Sequence, residues 1–349
     1  MTGGTAPGPA HVETLVPQEE RYIEMIASRL KSDIEKAYAE GSTLRDAHPK
    51  NVGCVKAEFT IDPDLRDELR VGLFKEPRTY PAYIRFSNAS AKPQADKVRD
   101  IRGMAIKLLG VEGEKLLEAE KFETTQDFLV ITVPRFLNRD VVDFYAMLDA
   151  LGGGGLKMLG FFFNPFDSHL RVLKNLATSL KRHASLLESR FWSTTPYQFG
   201  PGVVKYSVIP RQEGVARVPK NPSKNYLRDE MKRFLAERDA QFDFLIQFQT
   251  DARRMPVEDA GVRWDEKASP FIKVATIRIP RQEFDSPERM EFAENLSFTP
   301  WHSLVEHRPL GSINRARKVV YEIISTYRHE RNQEPRREPT VEQFYSDGA

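Results

Sequence analysis

The chain has 349 residues and the composition of an ordinary globular protein, with 40% hydrophobic and 29% charged residues. Its 52 basic and 50 acidic residues leave a net charge of +2, so the overall charge favours neither nucleic acid nor an anionic membrane as a partner. The single cysteine, Cys54, excludes an intrachain disulfide and a cysteine-based metal cluster. Neither a signal-peptide pattern nor an apolar run of membrane-spanning length is present, so we expect a cytoplasmic protein without a transmembrane segment.

The predicted elements begin with a Gly-, Pro- and Thr-rich tail, residues 1–15, which we expect to be disordered. Residues 16–349 are predicted to form a single domain. Apolar residues at helical spacing predict a helix from Glu19 to about Tyr38, after which the pattern changes to that of short strands. The predicted strands are Cys54–Ile61, Tyr83–Ser87, Gly103–Leu109, Phe128–Thr132, Val203–Ile209, Phe242–Thr250 and Phe271–Ile279.

Predicted helices lie between and after these strands, without a regular alternation. They are Val141–Leu151, Ser168–Leu187, Asn225–Ala236 and Asn314–Arg331, and the predicted loops are 152–155, 192–202 and 251–270. No Gly-rich phosphate loop follows a predicted strand. The pattern therefore predicts an α+β protein: an antiparallel β-barrel with α-helices around it and a long C-terminal helix.

The C-terminal helix carries the most informative pair of residues, Arg317 and Tyr321, which lie four positions apart and therefore on one face. Ser325 and Arg328 extend this polar strip along the edge of an apolar stripe. Tyrosine ligates iron as a phenolate, and an adjacent guanidinium stabilises that anion. The strip indicates either a rim of salt bridges or a site for a dianionic cofactor whose metal is bound by Tyr321.

Two further clusters could belong to the same site. His48 precedes a loop that leads into a predicted strand, with Arg45 three residues before it. Strand alternation places Arg85 and Ser87 on one face, where a serine could hydrogen-bond a histidine. Alternatively, His48 is an exposed loop residue and Arg85 and Ser87 are unrelated to it.

Taken in order, these clusters resemble the haem catalase superfamily, and most closely its short bacterial catalase-related members, the mini-catalases or catalase-like peroxidases. The resemblance extends from Arg45 to Asn332 and includes the signature in 96–107 and the segment 127–140. It implies a barrel of the catalase type with a C-terminal haem-binding helix, haem b (iron protoporphyrin IX) as cofactor, and a homodimer.

The resemblance also implies a role for each site residue. Tyr321 would be the iron ligand with Arg317 beside it, and His48 the catalytic acid–base oriented by Ser87. The remaining cofactor-binding positions are the propionate-binding arginines Arg45, Arg85 and Arg328, and Phe144, which packs on the haem.

Two departures from the family affect the expected activity. Where the family places an asparagine opposite the distal histidine, this chain has Ile131 and Thr132, so the resemblance makes Thr132 the third catalytic residue, although it offers only one hydroxyl. We also expect the chain to lack the long N-terminal arm and extra C-terminal domain of full-length catalases. Together these predict a haem peroxidase with weak catalase activity, acting on hydrogen peroxide or organic hydroperoxides with an unknown reductant.

Two other functions stay open. The chain could isomerise or cleave a fatty acid hydroperoxide, in the manner of allene oxide synthase, with the Phe-rich segment 161–166 either lining a lipid channel or serving only as packing. It could also be a non-catalytic haem sensor or carrier.

Overall fold

The computed structural model describes residues 13–45, 47–164, 169–212 and 214–346. The strands are β1 Asn51–Ile61, β2 Thr79–Asn88, β3 Arg102–Leu109, β4 Thr125–Ile131, β5 Phe191–Trp192, β6 Tyr197–Phe199, β7 Gly202–Pro210, β8 Ala240–Phe248 and β9 Ile272–Ile279. The helices are α1 Glu19–Ala37, α2 Val141–Gly152, α3 Gly154–Phe163, α4 Leu170–Ser179, α5 Tyr226–Glu237, α6 Pro287–Asn295, α7 Ser312–Asn332 and α8 Val341–Ser346. None of the described helices is both long and apolar enough to cross a bilayer.

The strands form one antiparallel sheet that closes into a barrel. Their order is β5-β4-β3-β2-β1-β9-β8-β7-β6, and β5 also pairs with β7. All described strands except β6 therefore form a closed ring of eight, in which the main strands have no free edge. The predicted fold class, an α+β protein with an antiparallel barrel surrounded by helices, is confirmed.

The interior of the barrel is a packed aromatic and aliphatic core. Phe59, Phe128 and Phe244 meet at its centre, with ring centroids between 4.8 and 6.1 Å apart. Each of these side chains is essentially inaccessible to solvent. The interior is thus filled by side chains, and a ligand site must lie elsewhere.

The outer wall of the barrel carries the polar residues. On β2, Ile84 and Phe86 belong to the inner core, so the alternating Arg85 and Ser87 point outward. The prediction that Arg85 and Ser87 share one face is confirmed in this respect. The functional candidates on this strand therefore face the layer of helices outside the barrel.

Helix α7 is held beside this wall by α1. Ile26 and Leu30 of α1 pack with Val320 and Ile324 of α7 in a second hydrophobic cluster. The adjoining side of α7 lines the space beside the barrel, and Val320, Tyr321 and Ile324 belong both to the cluster with α1 and to that lining. The C-terminal helix and the early strands, which are more than 200 residues apart in sequence, are brought together in this way.

Most predicted elements agree with the structure within a few residues, but several do not. The predicted loop 152–155 is wrong because α3 begins at Gly154, and the predicted helix 168–187 is too long because α4 ends at Ser179. The predicted loop 192–202 contains β6, and α6 was not predicted. Of the predicted disordered tail, residues 1–12 lie outside the described residues, whereas Glu13 forms an ion pair with Arg308 at 2.6 Å.

Candidate active site

A cavity lies between the outer wall of the barrel and α7. Its floor is built by outward-pointing residues of three adjacent strands, namely Arg85 and Ser87 on β2, Gly103 and Ala105 on β3, and Leu129 and Ile131 on β4. Including its open mouth, the cavity encloses about 1170 Å³ that is free of protein atoms.

His48 enters the cavity from the loop before β1. Its Nδ1 lies 2.9 Å from the Oγ of Ser87, and Arg85 Nη2 donates to its backbone carbonyl at 3.1 Å. His48 also has a φ of 61°, in the left-handed region that side chains other than glycine rarely adopt. Such strain persists only where surrounding contacts hold the residue, so the imidazole is fixed by the strands beneath it.

Gly103 makes room for this imidazole. A Cβ at this position would lie 2.6 Å from His48 Nδ1 and 2.8 Å from Ser87 Oγ, distances that real Cβ atoms do not show. The backbone of β3 therefore forms the surface on which the histidine–serine pair rests, and only glycine fits there.

The charge state of His48 follows from its surroundings. Burial, and then the positive charges of neighbouring arginines with Arg85 foremost, lower the pKa of His48 to about 3. The imidazole is therefore neutral near pH 7. If Nδ1 carries the proton and donates to Ser87, the other ring nitrogen, Nε2, is a free base.

The opposite wall of the cavity is formed by α7. Arg317, Tyr321, Ser325 and Arg328 all line it, as their spacing along one helix face predicts. The Arg317 guanidinium lies 5.8 Å from the centre of the Tyr321 ring. Its hydrogen-bond partners among the described residues are neutral: Asn314 Oδ1 at 3.3 Å and the hydroxyl of Thr195 at 3.5 Å. The positive charge of Arg317 is thus available to a phenolate.

One end of the cavity contains a cluster of three arginines, Arg45, Arg85 and Arg328, around Glu294. Glu294 lies 3.0 Å from Arg45 and 3.6 Å from Arg85, and Arg328 donates to its backbone carbonyl at 2.6 Å. One carboxylate for three guanidinium groups leaves the arginine cluster with an excess of two positive charges. This excess is equal in magnitude and opposite in sign to the charge of two carboxylates.

One buried donor of the arginine cluster has no acceptor within the described part of the chain. The buried Nε of Arg85 has no hydrogen-bond partner among the described residues. Burial, followed by the charge of Arg45, lowers the pKa of Arg85 and that of Arg328 to about 9 each. Buried guanidinium groups of this kind are stabilised by an anion that accepts in the plane of the fork.

These residues fit a haem. The arginine cluster would hold the carboxylates of a dianionic planar group, and Tyr321 and His48 line the same cavity from opposite walls. No cluster of three His, Cys, Asp or Glu side chains that could hold a metal ion occurs among the described residues. The phenol of Tyr321 and the imidazole of His48 are both donors that haem iron accepts, and the phenol is the ligand type of one haem class.

Two predicted site residues do not line the cavity. The hydroxyl of Thr132 accepts from the backbone N–H of Arg102 at 3.0 Å, because β4 ends at Ile131 and the chain turns away. Phe144 lies on α2, where it packs with the α1–α7 cluster and with Phe136 at a centroid distance of 5.9 Å. The structure brings the other seven predicted residues together and leaves these two outside the cavity wall.

The described part of the Phe-rich segment also lies outside the cavity. Phe161 is buried in a small cluster with Ala150 and Val172, and Phe163 is exposed. None of the three described phenylalanines lines the cavity, and 165–168 lie outside the described residues. The described part of the segment therefore serves as packing and surface.

The sequence analysis missed Glu294 and Arg336, which bear on the same site. Glu294 is on α6, which was not predicted, and it meets Arg45 across 249 positions of sequence. Arg336 lines the cavity from the segment after α7, where it is bonded to Glu120 at 2.8 Å. Neither residue carries a local pattern, so only the three-dimensional arrangement identifies them.

Comparisons with known proteins agree with this geometry. None of the protein-family models matches the chain. Among curated proteins, "Catalase easC" of Claviceps fusiformis is 27% identical over 157 residues, which are 43% of this chain and 28% of that protein. The chain thus matches well under half of the length of that relative.

Solved structures extend the likeness to almost the whole chain. Catalase A from Saccharomyces cerevisiae superimposes with a TM-score of 0.65 at 17% identity, over 95% of this chain and 68% of that one. A fungal catalase gives 0.63 at 16% identity over 94% and 66%, and a bacterial catalase 0.60 at 17% over 97% and 70%. The chain therefore has the catalase fold, and the predicted resemblance to catalases is confirmed; its short bacterial subgroup stays a prediction.

Proposed function

We propose that this chain is a haem peroxidase that reduces organic hydroperoxides and has weak catalase activity towards hydrogen peroxide. The observation that carries the proposal is that His48 and Tyr321 line one cavity. Within it His48 contacts Ser87, and Tyr321 lies beside Arg317. The catalase fold and the likeness to a curated catalase support the choice of haem and peroxide. The two-charge excess of the arginine cluster supports a haem, whose two propionates it would neutralise, and haem b is the form that we propose.

In this proposal Tyr321 would hold the iron as phenolate, and Arg317 would stabilise that anion. Arg45, Arg85 and Arg328 hold the propionates through planar, charge-assisted hydrogen bonds. The bound haem supplies the oxidation–reduction chemistry that cleavage of an O–O bond requires.

His48 moves the proton. With Nδ1 donating to Ser87, Nε2 accepts the proton of the hydroperoxide and returns it to the oxygen that leaves as the alcohol. The shuttle needs a neutral imidazole, which the lowered pKa of His48 provides. Overall, a hydroperoxide, two electrons and two protons give one alcohol and one water, so an external electron donor such as a small phenol is required.

The lining of the cavity favours a peroxidase over a catalase. A catalase must also hold a second hydrogen peroxide for oxidation. The β4 part of the wall is apolar, with Leu129, Val130 and Ile131, and no described residue lining the cavity carries a carboxamide. A wall of this kind accommodates the apolar body of an organic hydroperoxide better than a second small polar molecule.

One haem-loaded sample tests the proposal. We expect faster turnover of cumene hydroperoxide with a phenolic donor than release of oxygen from hydrogen peroxide. His48→Gln should lower the hydroperoxide turnover by roughly 100-fold or more, because general acid–base catalysis is lost. His183→Gln, which alters a histidine that does not line the cavity, is the matched control.

Other outcomes identify the alternatives. Oxygen release that exceeds hydroperoxide reduction would make the protein a catalase. Conversion of a fatty acid hydroperoxide without consumption of the donor would show an isomerase or lyase, including one that releases water as allene oxide synthase does. An intact haem spectrum without any turnover would indicate a sensor or carrier.

A further inference from the structure

Helix α3 is apolar on both of its faces. Phe161 is buried against Ala150 and Val172, which belong to the neighbouring helices α2 and α4. A helix that is hydrophobic all round is normally covered on all sides, either by protein or by lipid. The packing of Phe161 therefore explains only one face of α3.

The other face of α3 is open to solvent. Leu156 is 85% exposed, Leu159 57% and Phe163 56%. Their spacing of three and four residues places them on one side of the helix. Of the thirteen exposed large apolar side chains among the described residues, five lie between 151 and 170, so the exposure is concentrated here. Clustered apolar exposure marks an interaction surface, whereas isolated exposed residues do not.

The same part of the chain is basic. Residues 150–187 contain five lysines and arginines and one acidic residue, although the chain as a whole is nearly neutral. Two of the five are paired, Lys157 with Asp149 and Arg171 with Asp259. Lys174, Lys181 and Arg182 are exposed and form no ion pair with a described residue. An apolar helix thus lies beside an uncompensated positive charge.

We propose that α3, together with the basic residues of 170–182, docks onto the surface of an anionic lipid bilayer. Ten residues of helix extend about 15 Å, half of the hydrocarbon thickness, so α3 can lie in the interface but cannot span it. Leu156, Leu159 and Phe163 enter the boundary between headgroups and acyl chains, and the lysines and arginines contact anionic headgroups.

Charge favours a bilayer over a second copy of the chain as the occupant of this surface. In a symmetric dimer the patch would pack against itself, so one interface would contain twice the positive charge of Lys174, Lys181 and Arg182. Like charges brought together in this way repel each other. An anionic surface has the complementary sign. No residue of this surface lines the cavity, so the docking proposal stands or fails separately from the proposed peroxidase.

Vesicle flotation of the full-length, haem-loaded protein tests the docking. We expect binding to vesicles of phosphatidylcholine containing phosphatidylserine, and at least about tenfold weaker partitioning to phosphatidylcholine alone. Leu156→Glu should weaken partitioning to the anionic vesicles by about tenfold or more, because it replaces an inserted apolar side chain by a negative charge. Leu15→Glu is the matched control, since Leu15 is 72% exposed outside this surface, and it should bind like the wild type.

Lys174→Gln separates the electrostatic contribution to vesicle binding from that of the inserted apolar side chains. It should weaken binding to the anionic vesicles by roughly fivefold and leave binding to neutral ones unchanged. The proposal is overturned if the wild type does not bind anionic vesicles, or if Leu156→Glu binds them as well as Leu15→Glu does. It is also overturned if light scattering shows an oligomer that Leu156→Glu converts to monomers without any vesicle binding, because the occupant is then a second copy.

Discussion

Gly103→Ala tests whether the close approach of β3 to His48 sets the geometry of proton transfer. The added Cβ would lie 2.6 Å from two atoms of the imidazole, whereas ordinary contacts begin at 3.4 Å. The ring must therefore retreat by about 0.8 Å if the strand does not move. The 2.9 Å contact between His48 and Ser87 cannot survive that displacement unchanged.

The expected effect on rate follows from this displacement. Misplacing a catalytic group by about 1 Å costs on the order of 100-fold in rate, which corresponds to about 2.7 kcal/mol in the activation barrier. We expect kcat/KM for cumene hydroperoxide to fall by about this factor. Haem content should be unchanged, because the added methyl group meets His48 and Ser87, whereas Tyr321 and the arginine cluster are not among its nearest neighbours.

The assay is stopped-flow turnover on samples whose haem content has been matched by their absorbance. Gly214→Ala is the control, since the nearest atom to its Cβ would be a carboxylate oxygen of Glu188 at 3.9 Å. If Gly103→Ala retains kcat/KM within about threefold of the wild type at full haem content, the steric reasoning is refuted. An equal loss in Gly214→Ala would refute it as well.

Two further predictions concern protons. Burial and neighbouring arginines lower the pKa of His48 to about 3, so kcat/KM should be flat from about pH 5 to about pH 8. An inflection near the ordinary histidine pKa would contradict the assignment of His48 as a neutral base. Burial and Lys107 oppose protonation of His302, yet Asp127 and Glu338 raise its pKa to about 9. The resulting stability is fully present below about pH 6.5 and is lost as pH rises to about 9, by about 3 kcal/mol in the free energy of unfolding. Urea unfolding across this range should show that loss in the wild type and not in His302→Gln. The same loss in both proteins would be evidence against stabilisation of a protonated His302 by Asp127 and Glu338.

The barrel and the α7 wall of the cavity could be predicted because local patterns specify them. Alternation along β2 separates Arg85 and Ser87 from the inner core residues, and a four-residue spacing places Arg317 and Tyr321 on one face. These periodicities reflect backbone geometry, which the sequence displays directly. The position of His48 across the cavity from α7 was inferred from the resemblance to catalases and could not follow from any local pattern.

The errors have identifiable physical causes. Four consecutive glycines have low helix propensity, but packing of Phe161 against two neighbouring helices overrides it and α3 begins within that run. Thr132 follows the last residue of β4, and a difference of one position in a strand reverses the direction of a side chain. Glu294 is joined to the site only through tertiary contacts.

The ferric absorption spectrum of Tyr321→Phe tests the central claim most directly. If Tyr321 binds the iron, this variant should lose the tyrosinate-type ferric spectrum of the haem-loaded wild type, either by releasing haem or by changing the ligand. Tyr327→Phe, on the same helix and outside the cavity, should keep the wild-type spectrum. A Tyr321→Phe protein with full haem content and an unchanged ferric spectrum would contradict the account.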